Sequence, residues 1–399
     1  MRWLYYDPDD PTEAAAHEDT LRRIDRWWET FAGKRRDLDA LFAGEARWDL
    51  PEWMHQTLHV VDKRLMWEFG RDARGQHQLV ITPEGHHALR PMVRSLLDAA
   101  PELDGWTFHG HRQAEPWGEV VKAIEARVGG DVSQGRASAR LGEDHRIDLA
   151  FHLPDCQGAD DDRARHQAFV AAECLLGEET LDKWIGTIEV APMDAADQPR
   201  GRRKHGATLP PGSLPGRVDA LRNAVLDQLP AEPACVRGTA ELQHALLELD
   251  PQPRETYPER FDLQTAVTSN LDMWRCAHSG RPFHSERFSR CGETFAYLKL
   301  SGRWDSPSQQ FNARQRLHDL LDDGLMKRQV GCTIGGGTGL RYAYIDLALL
   351  DVRAAIGVIR RSLRTAGVGP RSWLLFFDGE LADEWLGIHE DAPPPPCAL

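Results

Sequence analysis

"GCTIGGGTGLRYAYIDL", residues 331–347, holds three consecutive glycines followed by Thr338 and Gly339. Before the run stands "QVGCTI", and after it "LRYAYIDLAL" alternates as a strand does. Glycines between two strands are expected where the backbone needs positive φ or a bulge, so the run reads as the turn joining them. Working outward, "TFAYLKL" is a strand and "NARQRLHDLLDDGLM" a helix. On the other side "VRAAIGVIRRSLRTAG" is a helix and "SWLLFFD" a strand.

The resulting β-α-β-β-α-β order over residues 293–380 is the split βαβ order of ferredoxin-like sandwiches. Two helices would cover one sheet face and leave the other open. Strand parity places Tyr297, Tyr342, Tyr344 and Phe376 on the open face, with Leu298, Ile345, Leu375 and Phe377 toward the helices. This face is the candidate ligand-binding surface of the C-terminal half.

Residues 1–62 form a helical N-terminal segment in this reading. "EAAAHEDTLRRIDRWWETFAGKRRDLDALF" has apolar residues at helical spacing, and "LPEWMHQTLHVVD" opens with Pro51 in a first-turn position. Strand and helix patterns then alternate over 63–192, which predicts an α/β sandwich. Within it, "LMWEFG", "QLVITP" and "GWTFHGHR" are strands, Pro91 bends or splits the intervening helix, and "RASARL" with "HRIDLAFHLP" makes a hairpin. Residues 193–216 are rich in Pro, Gly and charge and read as a linker or exposed loop. Residues 217–292 read as a helical and irregular connector, with "TAELQHALLELD" as one of its helices. Residues 381–399, ending "DAPPPPCAL", read as a flexible tail. The expected class is therefore α+β, with two α/β-sandwich modules, the C-terminal one ferredoxin-like.

Composition narrows the function classes. The chain has 399 residues, 41% of them hydrophobic, with 13 Trp, which fits a folded protein with sizeable cores. No basic leader with an apolar stretch opens it, and runs such as "WLLFF" are too short to cross a bilayer, so no membrane partner is expected. Seven scattered cysteines do not form a disulfide framework, which points to a reducing cytoplasm. The net charge is −14 and is uneven: residues 293–378 carry +4 and the remainder −18. With 41 Arg against 7 Lys, basic helices reflect base composition more than nucleic-acid binding.

Three constellations could carry chemistry. In "WTFHGHR", His109 and His111 share one side of the strand, and in "HRIDLAFHLP", Asp148 and His152 stand opposite the apolar positions. If those strands are neighbours, the four side chains would cluster and could hold Zn²⁺ or Fe²⁺ or run acid–base chemistry. In "CAHSGRPFHSERFSRC", Cys276, His278, His284 and Cys291 are four candidate ligands for tetrahedral zinc. Their spacing lacks the two-residue gap of a usual knuckle. The glycine run is the third.

"GGGTG" resembles the signature of the tubulin and bacterial cell-division GTPase family, whose loop wraps phosphates and leads into a helix. Here Leu340 and Arg341 follow and a strand comes next, so no helix N-terminus faces a phosphate. "YAYID" (342–346) and "YL" (297–298) resemble strand motifs of RNA recognition motif domains, which implies aromatic stacking on RNA bases. The stretches "LVITPEG…LRPMVRSLLDAAPELDGW" and "GGGTGLRYAYIDLALLD…SWLLFFD" are similar to bacterial proteins known only as domains of unknown function, a likeness that implies architecture and no activity.

No serine nucleophile elbow, kinase set, HExxH or dinucleotide fingerprint is present. The expectation is a cytoplasmic, non-enzymatic binding or regulatory protein for a protein or small-molecule partner, with no cofactor. The alternatives are a metal-dependent enzyme built on His109, His111, Asp148 and His152, and an RNA-binding C-terminal module.

Overall fold

The apolar stripe of "LRRIDRWWETF" becomes the buried side of α1 (Pro11–Phe42), where Ile24, Trp27, Trp28, Phe31 and Leu38 are inside. Asp10 starts the helix by accepting from the Thr12 and Glu13 amides. Asp49 does the same for α2 (Leu50–Leu58), with Pro51 in its first turn. The structure is a computed structural model describing residues 2–72, 74–193, 207–237, 244–302 and 307–396. It is mixed α+β and divides into two units: residues 1–134 with 162–182, and residues 135–161 with 183–399.

In the first unit, β1 (Met66–Arg71) pairs antiparallel with β2 (His77–Thr82), and β3 (Trp106–His109) pairs parallel to β2. Pro91 splits the intervening helix into a 3-10 turn, His87–Leu89, and α3 (Arg90–Asp98). The helices α4 (Trp117–Arg127), α5 (Asp162–Leu176) and α6 (Glu178–Trp184) follow. Alternation along the strands turns Trp67, Phe69, Leu79, Ile81, Trp106 and Phe108 toward the core beneath α1. There Phe31 meets Trp106 edge-on at 5.2 Å, and Trp28 meets Phe108 at 4.7 Å.

The second unit begins with β4 (Arg136–Leu141), antiparallel to β5 (Ile147–Leu153), which runs parallel to β6 (Ile185–Pro192). The strands expected to share one sandwich over 63–192 thus pair in two separate sheets, β1-β2-β3 and β4-β5-β6. Periodicity marks a strand but not its partner, and the partner is where the expectation missed. Most of the expected linker, residues 194–206, lies outside the described residues.

After α7 (Leu214–Gln228) and α8 (Ala234–Arg237) comes β7 (Ala245–Glu248), within a stretch expected to be helical. Pairing with β8 (Leu263–Thr268) satisfies its backbone and overrides the helical preference of its leucines. The residues 250–292, expected to be irregular, also hold α9 (Leu271–Ala277), capped by Asn270. Then follow β9 (Thr294–Ser301), α10 (Pro307–Lys327), β10 (Gly331–Gly339), β11 (Tyr342–Leu349), α11 (Val352–Thr365), β12 (Trp373–Phe376) and β13 (Trp385–Gly387). They form a seven-stranded sheet ordered β13-β12-β9-β11-β10-β8-β7, antiparallel at every step.

The glycine run is therefore not the turn. It lies inside β10, buried between β11 and β8, and only Leu340 and Arg341 connect β10 to β11. A Cβ on Gly335 would sit 2.3 Å from the Val267 carbonyl oxygen, and one on Gly337 would sit 2.5 Å from that of Thr265. The glycines are there because neighbouring backbones come too close for a side chain, at a register shift between Thr333 and Gly335.

The expected tail is partly built in. Ile388 is buried, and the Trp373 indole donates to the Pro393 carbonyl at 2.6 Å; residues 397–399 lie outside the described residues.

Candidate functional site

On the first unit's sheet, the residues opposite the aromatic core are Glu68 and Gly70 from β1, Gln78 and Val80 from β2, and Thr107 and His109 from β3. They form the floor of a cleft of about 640 Å³. Its walls are the segment Arg112–Pro116, Glu119 and Arg127 of α4, and Glu173 and Cys174 of α5. The volume is in the range that takes a small organic molecule.

The wall segment is pinned from behind. The Glu115 amide donates to the last-turn carbonyl of Cys174 at 2.7 Å, and the Glu178 amide donates to the Arg112 carbonyl at 3.0 Å. Gly177, with φ of +74°, ends α5 beneath this segment, and a Cβ there would meet the Arg112 oxygen at 3.0 Å. The Arg112 amide in turn donates to Glu178 Oε2 at 3.1 Å. Glu178 is buried with Arg90, whose Nη2 donates to Glu178 Oε1 at 2.7 Å and to Asp182 at 3.0 Å. Burial pushes the Glu178 carboxyl up, but the Thr82 hydroxyl and Arg90 outweigh it and hold the group below its ordinary value.

Arg112 is the hub of the cleft. Its guanidinium donates to Glu68 at 2.9 Å, Glu84 at 2.7 Å and Glu173 at 3.1 Å, tying β1, the loop after β2 and α5 together. Against the cost of burial, those carboxylates raise its affinity for its proton. Burial pushes the Glu173 carboxyl up in spite of Arg112 and Arg127. Burial likewise lowers the His109 imidazole against the pull of Asp72, so His109 is neutral at pH 7.

Among the described residues, the side chains of His109, Gln78 and Glu115 make no hydrogen bond or ion pair, whereas the other acids of the cleft are engaged. Glu119 meets Lys122 at 2.9 Å, and Asp72 accepts from the Arg74 and Gln76 amides.

Of the four residues expected to cluster, only His109 lines this cleft. His111 follows the end of β3. Asp148 and His152 belong to β5, in the other sheet, so the condition that the strands be neighbours is not met. Asp148 pairs with Arg140 at 3.0 Å and accepts from the Thr187 amide; His152 is buried, with Nδ1 at 3.4 Å from the Pro192 carbonyl oxygen.

The four candidate zinc ligands go separate ways. Cys276 is buried and accepts from Arg287, and His278 stacks on Trp274 at 4.0 Å. His284 lies 3.8 Å from Asp378, and Cys291 points to the Pro230 and Ala231 carbonyls. Among the described residues, no three His, Cys, Asp or Glu side chains gather as a metal-binding group.

The tyrosine face of the seven-stranded sheet is covered, not open. Tyr257, Leu263, Met273, Trp274, Phe283 and Phe288 pack on Tyr297, Tyr342, Tyr344 and Trp373. Tyr344 donates to Asp262, and Arg260 lies over the Tyr297 and Tyr344 rings while pairing with buried Asp346 at 2.8 Å. Phe376 is on the other face. Register sets Leu375 beside Tyr297 and Trp373 beside Lys299, so those two share the tyrosine side and Phe376 does not.

The cleft had a partial sequence signal: parity turns His109 away from the core, and Glu68 interrupts an apolar strand between Trp67 and Phe69. Arg112, Glu115 and Glu173 had none, because loop and helix residues meet a strand only through the fold. No protein-family model, curated protein or solved structure matches the chain.

Proposed function

We propose that the chain is a ligand-binding protein without catalytic activity, and that the first unit's cleft takes a small polar molecule. The observation that carries this reading is a ligand-sized cleft whose floor is one face of a sheet and whose walls are held rigid by Arg112. A preorganised wall lowers the ordering cost of binding, which favours a ligand site over an incidental groove. In this reading the second unit is a scaffold. Its strands β12-β9-β11-β10 with α10 and α11 follow the order of a ferredoxin-like core, extended by β13 on one side and β8-β7 on the other. The setting we propose is cytoplasmic, in keeping with six described cysteines that are free thiols. No described helix is long and apolar enough to cross a membrane.

The test is a thermal-shift screen of polar metabolites against the full chain and against Gln78→Trp, which fills the cleft floor from the central strand β2. A hit that stabilises the native chain by several degrees and leaves Gln78→Trp unmoved supports the reading. Hits that stabilise both proteins equally, or robust turnover of a hit, would overturn it.

A further inference from the structure

Resting on that reading, we infer that the ligand is a compact organic cation, an alkylammonium or guanidinium compound, seated between Glu115 and His109. The cleft is lined by five carboxylates, Glu68, Asp72, Glu115, Glu119 and Glu173, against three arginines, Arg71, Arg112 and Arg127. Most of these charges answer one another. Glu68 and Glu173 are taken by Arg112, Arg71 donates to the Gly75 carbonyl at 2.8 Å, and Arg127 sits 3.6 Å from Glu173. Among the described residues, two carboxylates inside the cleft are left without a side-chain hydrogen bond or ion pair. They are Asp72, held by backbone amides alone, and Glu115, which burial and Glu68 push up against the pull of Arg127. Left with them are two neutral groups able to accept a hydrogen bond, His109 and Gln78.

That set selects by sign and by hydrogen-bond type. A carboxylate or phosphate entering the cleft would find Arg112 and Arg127 taken by carboxylates, only Arg71 without one, and both Asp72 and Glu115 facing it. A neutral polyol could bond to His109 and Gln78 but would leave the cleft's excess negative charge without a counter-charge. An ammonium or guanidinium supplies several N–H donors and positive charge, and so matches a lining whose carboxylates outnumber its arginines by two. His109 suits this role because it is neutral: an imidazolium would repel the cation and offer no acceptor. The Thr107 hydroxyl donates to the His77 carbonyl at 3.5 Å, which leaves its lone pairs as further acceptors on the floor.

The experiment is calorimetric titration of the full chain with agmatine, 1,4-diaminobutane, citrate and glucose, repeated with Glu115→Gln, His109→Ala and Gln78→Trp. Agmatine or 1,4-diaminobutane is expected to bind at one site. Glu115→Gln, at an exposed position that keeps the fold, should weaken it about tenfold or more, and Gln78→Trp should abolish it. Raising salt should weaken binding as well. Citrate or glucose binding that Gln78→Trp removes, with neither amine bound, would overturn the cation assignment and leave the cleft reading standing. Amine binding that survives Gln78→Trp, or no binding by any of the four, would overturn the assignment, and the former would count against the cleft itself.

Discussion

At the scale of single residues, Lys299 is the most informative side chain of the second unit. It is fully buried, and its amine donates to the Tyr257 and Glu259 carbonyls while lying 4.5 Å from the centre of the Tyr342 ring. Burial lowers its pKa from 10.5 to about 8, against the opposing pull of Asp262 and Glu259. Two carbonyl acceptors are satisfied by a neutral amine, which has two N–H groups, so losing the proton removes the desolvation cost and keeps both bonds. Below pH 8 the lysine is charged in both folded and unfolded chains. Between pH 8 and 10.5 the unfolded chain holds a proton that the folded one has shed, so stability from this group rises with pH. Relative to Lys299→Met, the native chain is expected to gain about 2 kcal/mol between pH 7 and pH 9.5. Urea unfolding of both proteins across that range measures it, and a flat difference would refute the assignment. None of this was legible beforehand: parity put Lys299 on the same side as Tyr297, but the segment that buries it arrives from forty residues away.

At the scale of elements, β10 shows how a sequence signal can be right in kind and wrong in place. Three glycines do mark a position where side chains do not fit, yet the crowding comes from the two flanking strands and not from a tight turn. Gly335→Ala would force its Cβ into the Val267 carbonyl and is expected to cost about 1–3 kcal/mol. Gly357, inside α11, has only the Arg361 side chain at 3.8 Å, so Gly357→Ala is expected to stabilise by roughly 0.5–1 kcal/mol. Opposite shifts in the urea midpoint of the two variants would check this pair, and equal shifts would contradict it. β7 is the complementary case. Its leucines favour a helix by propensity, but the backbone bonds of Ala245–Glu248 to β8 decide otherwise.

At the scale of the whole molecule, each unit has its own core and its own buried ionic centre, and each is assembled from two separate stretches of chain. Arg90 with Glu178 serves the first, and Arg260 with Asp346 the second. Breaking a buried pair leaves an uncompensated charge, so Asp346→Asn is expected to cost about 3–5 kcal/mol. Hydrogen exchange should report this as faster exchange in β9, β11 and β12, with the amides of β1 and β2 as internal reference; unchanged exchange there would contradict it. The alternation of apolar and polar residues determined the helices, most strands, the α+β class and the outward side of His109, because those follow from local periodicity and capping. Which strands pair, that the tyrosine face is covered, and that Arg112, Glu115 and Glu173 meet Glu68 and His109 in one cleft were decided only by tertiary structure. Those contacts join residues far apart in sequence, and their energies come from burial and ion pairing that no local pattern records.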